Sequence, residues 1–292
     1  MRWDLAAVGE VLLDVDIPTL VPGRTVHAPI RIRAGGTPVN AAYAAAALGA
    51  RTAVVGRVGA DPAGAAIRAA LAEAGVDGLL AVDADAATGT FVEVGLDSEG
   101  AVAADRGASA NLHVDDIPRA LEAGAVLVSG YALLNDDTAA AATAAIARAD
   151  ARWIAVSAGS AALVERCGAD DVHARAAGAN MLLANEAEAI ALTGREPDDA
   201  VVDLAGRYEV ACVTLGARGA VAAIRGGRLE RAAPTDAKAA WITGAGDAFA
   251  AALLVSLPRG ADLPDALAAA CDAAARLASR RTEADHAAGR PR

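Results

Sequence analysis

The sequence predicts an α/β fold: a mainly parallel central sheet flanked by helices, with a small antiparallel β lid. Three observations predict it. Short apolar runs rich in β-branched residues recur along the 292 residues, and Ala-rich stretches at helical period lie between them. This alternation is typical of βαβ units around a parallel sheet. Two further segments alternate in polarity, as half-exposed antiparallel strands do.

Each element follows from these patterns in chain order. The predicted strands of the main sheet are LAAVGEVLL, TAVVGRVG, AVLVSG, WIAVSAG, NMLLAN and VACVTLG. The predicted helices are residues 38–48, 62–74, 136–149 and 185–193. The alternating segments 24–33 and 90–105, the second around a DSEG turn, predict a lid over a pocket. Two edge hairpins without a covering role are the alternative.

The chain is expected to form a single domain over residues 1–281, because no repeat or low-complexity linker marks a boundary. The lid segments of this domain are expected at about 11–34 and 87–110. The polar end of the chain, residues 282–292, is expected to be a disordered tail.

Composition and charge exclude several classes of protein. The net charge of −11, with no basic block to offset it, argues against nucleic-acid binding. No run of about 18 strongly apolar residues predicts a membrane span. Acids within the first fourteen residues are unlike a signal peptide, so we expect a cytoplasmic protein. The three cysteines and four histidines are scattered, which predicts free thiols and no nitrogen–sulfur metal site.

The most informative motif is Gly244-Ala245-Gly246-Asp247, which opens the apolar stretch DAFAAALLVSL. Small residues at a helix start leave unpaired N–H groups that bind anions. A carboxylate at this position would repel a phosphate, so it does not suit a site that only binds phosphate. It suits a base that takes a proton from a nucleophile while the N–H groups receive the developing negative charge. The motif therefore indicates phosphoryl transfer without a Walker lysine.

Other interpretations of this motif can be compared directly. A dinucleotide fingerprint fails because Phe249 stands where the third glycine belongs. A P-loop fails because the only lysine, Lys238, is followed by Ala239. An ordinary glycine-rich turn capped by Asp247 before a buried helix is the remaining alternative.

A second glycine cluster lies at residues 34–64. Gly35 and Gly36 allow a backbone turn that bulkier residues would block, and Pro38 suits the first turn of the helix that follows. Asn40, early in that helix, is placed to reach a polar ligand above the glycine pair. Local capping is its alternative role.

Together these two signatures resemble those of the ribokinase-like, or PfkB-type, family of carbohydrate kinases. The first is Gly35-Gly36-Thr37-Pro38-Val39-Asn40, and the second is Gly244-Ala245-Gly246-Asp247 followed by AFAAALL. Further matches in the family's order are Gly9-Glu10 with Asp14, GADPAG, AGVD, Thr88-Gly89, Arg106-Gly107-Ala108, Asn185-x-x-Glu188 and Thr214-Leu215-Gly216-x-x-Gly219. The resemblance covers about residues 6 to 257.

The resemblance implies roles in catalysis and in acceptor binding for several of these residues. Asp247 would be the general base that draws the proton from a primary hydroxyl of the acceptor. The N–H groups from Gly244 through Ala245 to Gly246 would receive the transferring phosphoryl charge. The residues that would hold the acceptor's hydroxyls are Asp14, Gly35, Gly36 and Asn40.

On the nucleotide side, the resemblance implies ATP and Mg²⁺. Glu188 would organise the Mg²⁺ through water, with Asn185 beside it, because magnesium keeps much of its hydration shell. A surface acid on an amphipathic helix is the alternative for Glu188. The residues that would leave room for the nucleotide are Thr214, Gly216 and Gly219. Lid closure would exclude water and suppress ATP hydrolysis.

Arg106 lies where the second lid segment returns towards the main domain, and would reach an anionic group of an acidic sugar or sugar phosphate. A plain surface arginine is the alternative. The chain departs from the family pattern at Trp241-Ile242-Thr243, where the family commonly has Asp-Thr-Thr. That Asp usually helps to form a monovalent-cation site, so the resemblance does not carry potassium activation over to this chain.

The resemblance therefore implies an ATP-dependent kinase acting on a primary hydroxyl of a sugar or sugar acid, similar to fructokinases or 2-keto-3-deoxygluconate kinases. A nucleoside kinase is the first alternative, with Phe91 as a platform for a base. A non-catalytic sugar-binding or regulatory protein on the same fold is the alternative of another class. The expected partners are a small sugar-like molecule and, through the lid, a second copy of the chain in a homodimer.

Overall fold

A computed structural model of the chain describes residues 2–21, 23–95, 101–234 and 243–287, the last eight of them by their backbone. None of the helices within these ranges is long and apolar enough to cross a lipid bilayer. The strands are β1 (Trp3–Val8), β2 (Leu12–Ile17), β3 (Arg31–Gly35), β4 (Thr52–Gly59), β5 (Val76–Asp83), β6 (Thr88–Val94), β7 (Ala101–Gly107), β8 (Leu121–Val128), β9 (Ala149–Asp150), β10 (Trp153–Ser157), β11 (Met181–Asn185), β12 (Val210–Thr214), β13 (Ala220–Ile224) and β14 (Leu229–Ala232). The α-helices are α1 (Thr37–Ala47), α2 (Pro62–Glu73), α3 (Gly130–Leu134), α4 (Ala139–Arg148), α5 (Ala161–Cys167), α6 (Ala169–Arg175), α7 (Glu186–Thr193), α8 (Pro197–Arg207), α9 (Ala245–Ser256) and α10 (Leu263–Ala287).

The main sheet is parallel over most of its width, as the sequence predicts. Its order is β14-β13-β12-β11-β10-β8-β1-β4-β5, with the short β9 paired to β8. Among the described strands of this sheet only β13 runs in the opposite direction, and it pairs antiparallel with β12 and with the edge strand β14. Alternate residues of β1 enter different cores: Ala6 and Val8 pack in a core with α4 and α8, whereas Leu5 and Ala7 pack in a core with α1 and α9. Helices therefore cover both faces of the sheet.

Helix α9 lies deep in one of these cores. All its residues from Ala248 to Val255 are buried, as is typical of a helix that is apolar all round. It packs between α1 and α10. Because α1 and α9 lie side by side, residues at their first turns come together at the carboxyl edge of the sheet.

One predicted strand is wrong as a single element. The run LAAVGEVLL is divided between β1, which ends at Val8, and β2, which begins at Leu12. Gly9 stands at the division with φ +152°, and a Cβ there would lie 2.6 Å from Cβ of Ser129. The chain leaves the main sheet at this glycine and enters a second, smaller sheet formed by β3, β2, β6 and β7, which is called the lid from here on. Strand β5 and the β13–β14 hairpin are further elements that the apolar pattern did not predict.

The separate small sheet is confirmed, but it is not purely antiparallel. Its order is β3-β2-β6-β7, and the central pair β2–β6 is parallel while both outer pairs are antiparallel. The reason is topological: β2 follows β1 and β6 follows β5, and both leave the same edge of the main sheet in one direction. Within 24–33 only the end from Arg31 is a strand. Pro29, which lacks an N–H donor, lies in the irregular part.

The root of the lid is held by Asp61, the N-cap of α2. Its carboxylate accepts hydrogen bonds from the backbone N of Gly64 at 2.8 Å, from the backbone N of Thr88 at 2.7 Å and from Oγ1 of Thr88 at 2.6 Å. The two lid strands that meet here pass closely at Gly89 and Gly107, where an added Cβ would lie 2.4 Å from a backbone oxygen in each case. Strand β6 is therefore fixed to the main domain at its first residue.

The last helix extends further than the sequence analysis expects. Helix α10 continues to Ala287, into the segment for which a disordered tail is predicted. Three of the six residues from 282 to 287 are alanine or glutamate, which are among the stronger helix formers.

Candidate active site

A cleft of about 510 Å³ lies between the carboxyl edge of the main sheet and the lid. Open α/β sheets bind ligands at this edge. Residues of both signatures line it together with residues that follow β8, β10, β11 and β12. The site residues from the sequence analysis that line the cleft are Asp14, Gly36, Asn40, Arg106, Asn185, Glu188, Thr214, Gly244, Gly246 and Asp247.

Asp247 lies in the first turn of α9, and its carboxylate faces the first turn of α1. The Oδ2 atom accepts a hydrogen bond from Nδ2 of Asn40 at 2.9 Å. Burial raises the pKa of Asp247 to about 7, and the nearby charges of Glu10 and Asp14 raise it as well, while hydrogen bonds from Asn40 and Thr37 act in the opposite direction. A carboxylate with a pKa near neutrality is suited to exchange protons with a hydroxyl.

The backbone beside Asp247 forms an open cradle. Gly244 is the N-cap of α9 and has φ +91°, a left-handed conformation that favours glycine. A Cβ built on Gly246 would meet no atom within 4 Å, so the space above it is open. N–H groups of a first helical turn lack partners within the helix and lie at the positive end of its dipole. The cradle can therefore accept an anionic group.

At the first signature, both predicted glycines are required by close approaches. A Cβ on Gly35 would lie 2.1 Å from Oδ2 of Asp14, and a Cβ on Gly36, where φ is +92°, would lie 2.3 Å from the backbone oxygen of Glu10. Asp14 is buried in β2, and Nη2 of Arg33 lies 3.0 Å from its Oδ2. Gly35 supports the cleft from behind Asp14, since it is not among the residues that line it.

Glu10, which belongs to the Gly9-Glu10 match, also lines the cleft, although no role was predicted for it. Its Oε1 accepts hydrogen bonds from the backbone N of Thr37 and from Oγ of Ser129, each at 3.1 Å. Its Oε2 is buried and has no hydrogen-bond partner among the described residues. Burial raises the pKa of Glu10. A lone glutamate after a strand carries no periodic signal, so only its position beside Gly9 in the first motif could have indicated it.

Tyr131, after β8, also lines the cleft and was not predicted. Burial raises the pKa of its hydroxyl to about 12, and the negative charges of Glu10, Glu188 and Asp247 act in the same direction. These carboxylates make this part of the cleft electronegative. A divalent cation or a hydroxyl donor would be favoured there.

Asn185 and Glu188 form a capping box at the start of α7. Oδ1 of Asn185 accepts from the backbone N of Glu188 at 2.9 Å, and Oε2 of Glu188 accepts from the backbone N of Asn185 at 2.8 Å. Burial raises the pKa of Glu188. The alternative of an exposed surface acid is wrong, because Glu188 is only 7% exposed and lines the cleft.

The strand end at Thr214 is followed by two glycines in the connection to β13. Gly216 and Gly219 have φ +61° and +88°, and a Cβ on Gly219 would lie 2.0 Å from the backbone oxygen of Ala232. Thr214 lines the cleft, whereas neither glycine does. The glycines give this connection its tight shape.

The residues present fit a magnesium ion carried by phosphates. Among the described residues no group of three or more His, Cys, Asp or Glu side chains is arranged to hold a metal. Magnesium keeps several waters and is commonly bound through one or two carboxylates and substrate phosphates. Glu188, with the amide of Asn185 beside it, supplies that kind of donor.

Side chains of the lid contact the main domain at Arg106 and at Glu93. Arg106 of β7 donates from Nη1 to both carboxylate oxygens of Asp137, at 2.7 and 2.9 Å, and from Nη2 to Oγ1 of Thr138 at 3.1 Å. Thr243 donates from Oγ1 to Oε2 of Glu93 in β6 at 3.1 Å. Neither contact was predicted. Trp241, which the sequence analysis singled out, lies outside the described residues.

Comparison with known proteins gives matches over almost the whole chain. The model of the "pfkB family carbohydrate kinase" family matches residues 3–286. The bifunctional protein HldE of Caulobacter vibrioides is 30% identical over 286 residues, which is 89% of this chain and 56% of that protein. The chain thus spans about half the length of this relative. Fructokinase-1 of Oryza sativa subsp. japonica is 39% identical over 98 residues, 32% of this chain and 30% of that protein.

Solved structures share the fold. Adenosine kinase from Sinorhizobium meliloti superposes with a TM-score of 0.83 at 22% identity, covering 96% of this chain and 94% of the other. Fructokinase from Vibrio cholerae O395 gives a TM-score of 0.74 at 26% identity, covering 95% and 99%. A candidate ribokinase II of E. coli, solved with ATP and Mg²⁺, gives 0.80 at 18% identity, covering 91% and 89%. With its two signatures gathered at one cleft and a family match from residue 3 to residue 286, the chain belongs to the pfkB family of carbohydrate kinases.

Proposed function

We propose that this protein is an ATP-dependent phosphotransferase that phosphorylates a primary hydroxyl of a sugar or sugar acid. The observation that carries the proposal is the arrangement at the start of α9. There a carboxylate with a pKa of about 7 lies beside an open cradle of N–H groups. The likeness to rice fructokinase-1 supports a sugar as the acceptor.

In the proposed reaction Asp247 accepts the proton of the acceptor's hydroxyl. The hydroxyl oxygen forms a bond to the γ-phosphorus of ATP while the bond from that phosphorus to the β,γ-bridging oxygen breaks, which releases ADP. The N–H groups at Gly244 to Gly246 hydrogen-bond the phosphoryl oxygens, where charge is concentrated in the transition state. The hydrogen bond from Asn40 holds the carboxylate of Asp247 in place and favours its ionised form.

The remaining cleft residues bind the two substrates. Asp14 and Asn40 would hydrogen-bond hydroxyls of the acceptor, with Gly36 presenting its backbone. Thr214 and the tight connection through Gly216 and Gly219 would border the nucleotide. Glu188 and Asn185 would hold Mg²⁺ through water, and the ion would neutralise charge on the ATP phosphates.

An anionic acceptor would use Arg106. Its guanidinium already pairs with Asp137 at the side of the cleft, through hydrogen bonds from Nη1 to both carboxylate oxygens. This pair is partly exposed, so its exchange for a substrate carboxylate costs little. A sugar acid would therefore compete with Asp137 for Arg106, whereas a neutral sugar would leave the pair intact.

The test is Mg²⁺-dependent ADP release with D-fructose, 2-keto-3-deoxygluconate, D-ribose and adenosine as acceptors. Wild type is compared with Asp247→Asn and with Glu122→Gln, an exposed carboxylate at the start of β8. Removing a general base lowers turnover by about 10²- to 10⁴-fold. A preferred sugar with that loss in Asp247→Asn alone supports the proposal. Equal turnover in all three proteins, or no stimulation by any acceptor, contradicts it and leaves a binding protein.

The lid also supports a proposed homodimer. Ile30 and Ile32, at the outer strand of the lid, are 58% and 64% exposed. Burial of such side chains favours association. Sedimentation of wild type against Ile32→Lys tests this: a dimer that the substitution dissociates supports it, and a wild-type monomer at micromolar concentration contradicts it.

A further inference from the structure

The contact between Glu93 and Thr243 joins parts of the protein that are far apart in the chain. Glu93 lies in β6, a central strand of the lid, and Thr243 directly precedes Gly244. Oε2 of Glu93 accepts a hydrogen bond from Oγ1 of Thr243 at 3.1 Å, in a partly buried position. A side chain of the lid thus contacts the residue directly before the cradle of N–H groups.

Strand geometry explains why Glu93 points towards the cleft. Residues two apart in a strand lie on the same face, and Phe91, two residues earlier, lines the cleft. Val102, the register partner of Glu93 in β7, lines it too. The side chain of Glu93 therefore continues the cleft-facing row of the lid.

The cradle is a part of the protein that needs an anchor. Gly244 has a left-handed conformation and Gly246 has open space in place of a side chain. Glycines restrict the backbone least, yet N–H donors stabilise a transition state only if they are held in position before reaction. A hydrogen bond to Thr243 restrains the loop at the residue before its first glycine.

The charge of Glu93 makes this contact informative. A carboxylate near an anion-binding loop repels phosphoryl groups, so its presence there has an electrostatic cost. The recorded hydrogen bond directs one carboxylate oxygen to the hydroxyl of Thr243. The contact is kept in spite of that cost, and a neutral side chain with an oxygen at the same place would make it as well.

We propose that Glu93 is a positioning residue for phosphoryl transfer. When the lid covers the cleft, its carboxylate holds Thr243 and so fixes the N–H groups of Gly244 to Gly246. Lid closure and completion of the anion site are then one event. This inference rests on the proposed kinase activity and adds to it a residue that acts through the loop without touching either substrate.

The test uses the full chain and the acceptor that gives most turnover in the panel above. Because a displacement of about 1 Å in a reacting geometry costs about 10²-fold, Glu93→Ala is expected to lower kcat by about 10- to 100-fold, with acceptor KM changed less than threefold. Glu93→Gln keeps an acceptor oxygen and is expected to recover most of kcat. Asp105→Asn is the charge control and is expected to match wild type, because among the described residues the hydrogen bond to this lid carboxylate comes from the backbone N of Gly107, also in the lid.

A double-mutant cycle separates positioning from general damage. Thr243→Val is expected to lower kcat as Glu93→Ala does, and the double variant to be no slower than either single variant, because both remove the same contact. Wild-type kcat in Glu93→Ala, an equal loss in Glu93→Gln, or losses that multiply in the double variant would overturn the inference. A wild-type protein that turns over no acceptor at all would overturn the kinase proposal, and this inference with it.

Discussion

The hydrogen bond between Asn40 and Asp247 gives a prediction about pH dependence. Asn40 donates to Oδ2 of Asp247 at 2.9 Å and thereby lowers a pKa that burial raises to about 7. In Asn40→Ala the lowering contribution is lost, so the pKa of Asp247 rises. The acid limb of kcat/KM for the acceptor, which reports the enzyme before it binds the acceptor, must then move to higher pH.

The size of this change follows from the strength of the bond. A hydrogen bond to a charged group contributes about 1.5 kcal/mol, and 1.36 kcal/mol corresponds to about one pH unit. The midpoint of the limb therefore moves from about 7 to about 8. At pH 7 the deprotonated fraction falls from about one half to about one tenth, whereas at pH 9.5 it hardly changes. The fivefold loss at neutral pH is expected on top of any loss of acceptor binding, which is independent of pH.

The assay is kcat/KM for the preferred acceptor from pH 5.5 to 9.5, at saturating Mg²⁺-ATP. Glu10→Gln is expected to shift the pKa of Asp247 in the opposite direction, because it removes a negative charge that raises this pKa. The substitution keeps a side-chain oxygen that can accept the hydrogen bonds from Thr37 and Ser129. Its limb is expected to move to lower pH. A limb that stays at the wild-type position in both variants would refute the assignment of the midpoint to Asp247.

Other predictions concern the lid and the acceptor side. Asp61→Ala removes the N-cap of α2 and the bonds to Thr88, so urea unfolding should show a loss of about 1–2 kcal/mol; an unchanged midpoint would contradict the role of Asp61 at the lid root. Gly35→Ala places a Cβ 2.1 Å from the carboxylate of Asp14, so the acceptor KM should rise at least tenfold, about 1.4 kcal/mol, with ATP KM little affected; equal KM values would show that Asp14 does not bind the acceptor. Arg106→Ala should lower stability by less than about 1 kcal/mol, because its pair with Asp137 is partly exposed. The same variant should raise KM for 2-keto-3-deoxygluconate and not for D-fructose, and an equal effect on both would exclude a role in binding anions.

Local patterns predicted most of the main sheet, because a buried parallel strand is a continuous apolar run. Local patterns did not predict the relative direction of two strands where that direction depends on the topology of the whole fold. The parallel pairing of β2 with β6 follows from where β1 and β5 end, which no property of either segment encodes. Strand β5 was missed because Asp77 and Gly78 interrupt its apolar pattern.

The residues of the candidate site also fall into those that the sequence predicted and those that it did not. The glycine signatures and Asp247 were found because small residues at a helix start have a recognisable chemistry, and the fold brings them to one cleft with Asp14 and Glu188. Glu10, Tyr131 and the contact between Glu93 and Thr243 were not found. These are isolated polar residues that belong to no regular spacing or periodic pattern. The hydrogen bonds of Glu10 with Ser129 and of Glu93 with Thr243 join residues more than a hundred positions apart.

The placement of Asp14 on a lid strand has a consequence for how the protein works. Asp14 belongs to β2 of the lid, whereas Asp247 belongs to α9 of the main domain. Any rigid-body movement of the lid therefore changes the separation between the group that would hold the acceptor and the group that would deprotonate it. An open lid would carry a bound acceptor away from the proposed base, and a closed lid would bring the two together. If Asp14 binds the acceptor as proposed, the roof of the cleft is also half of the acceptor site, and shielding from water and alignment of the hydroxyl then occur together.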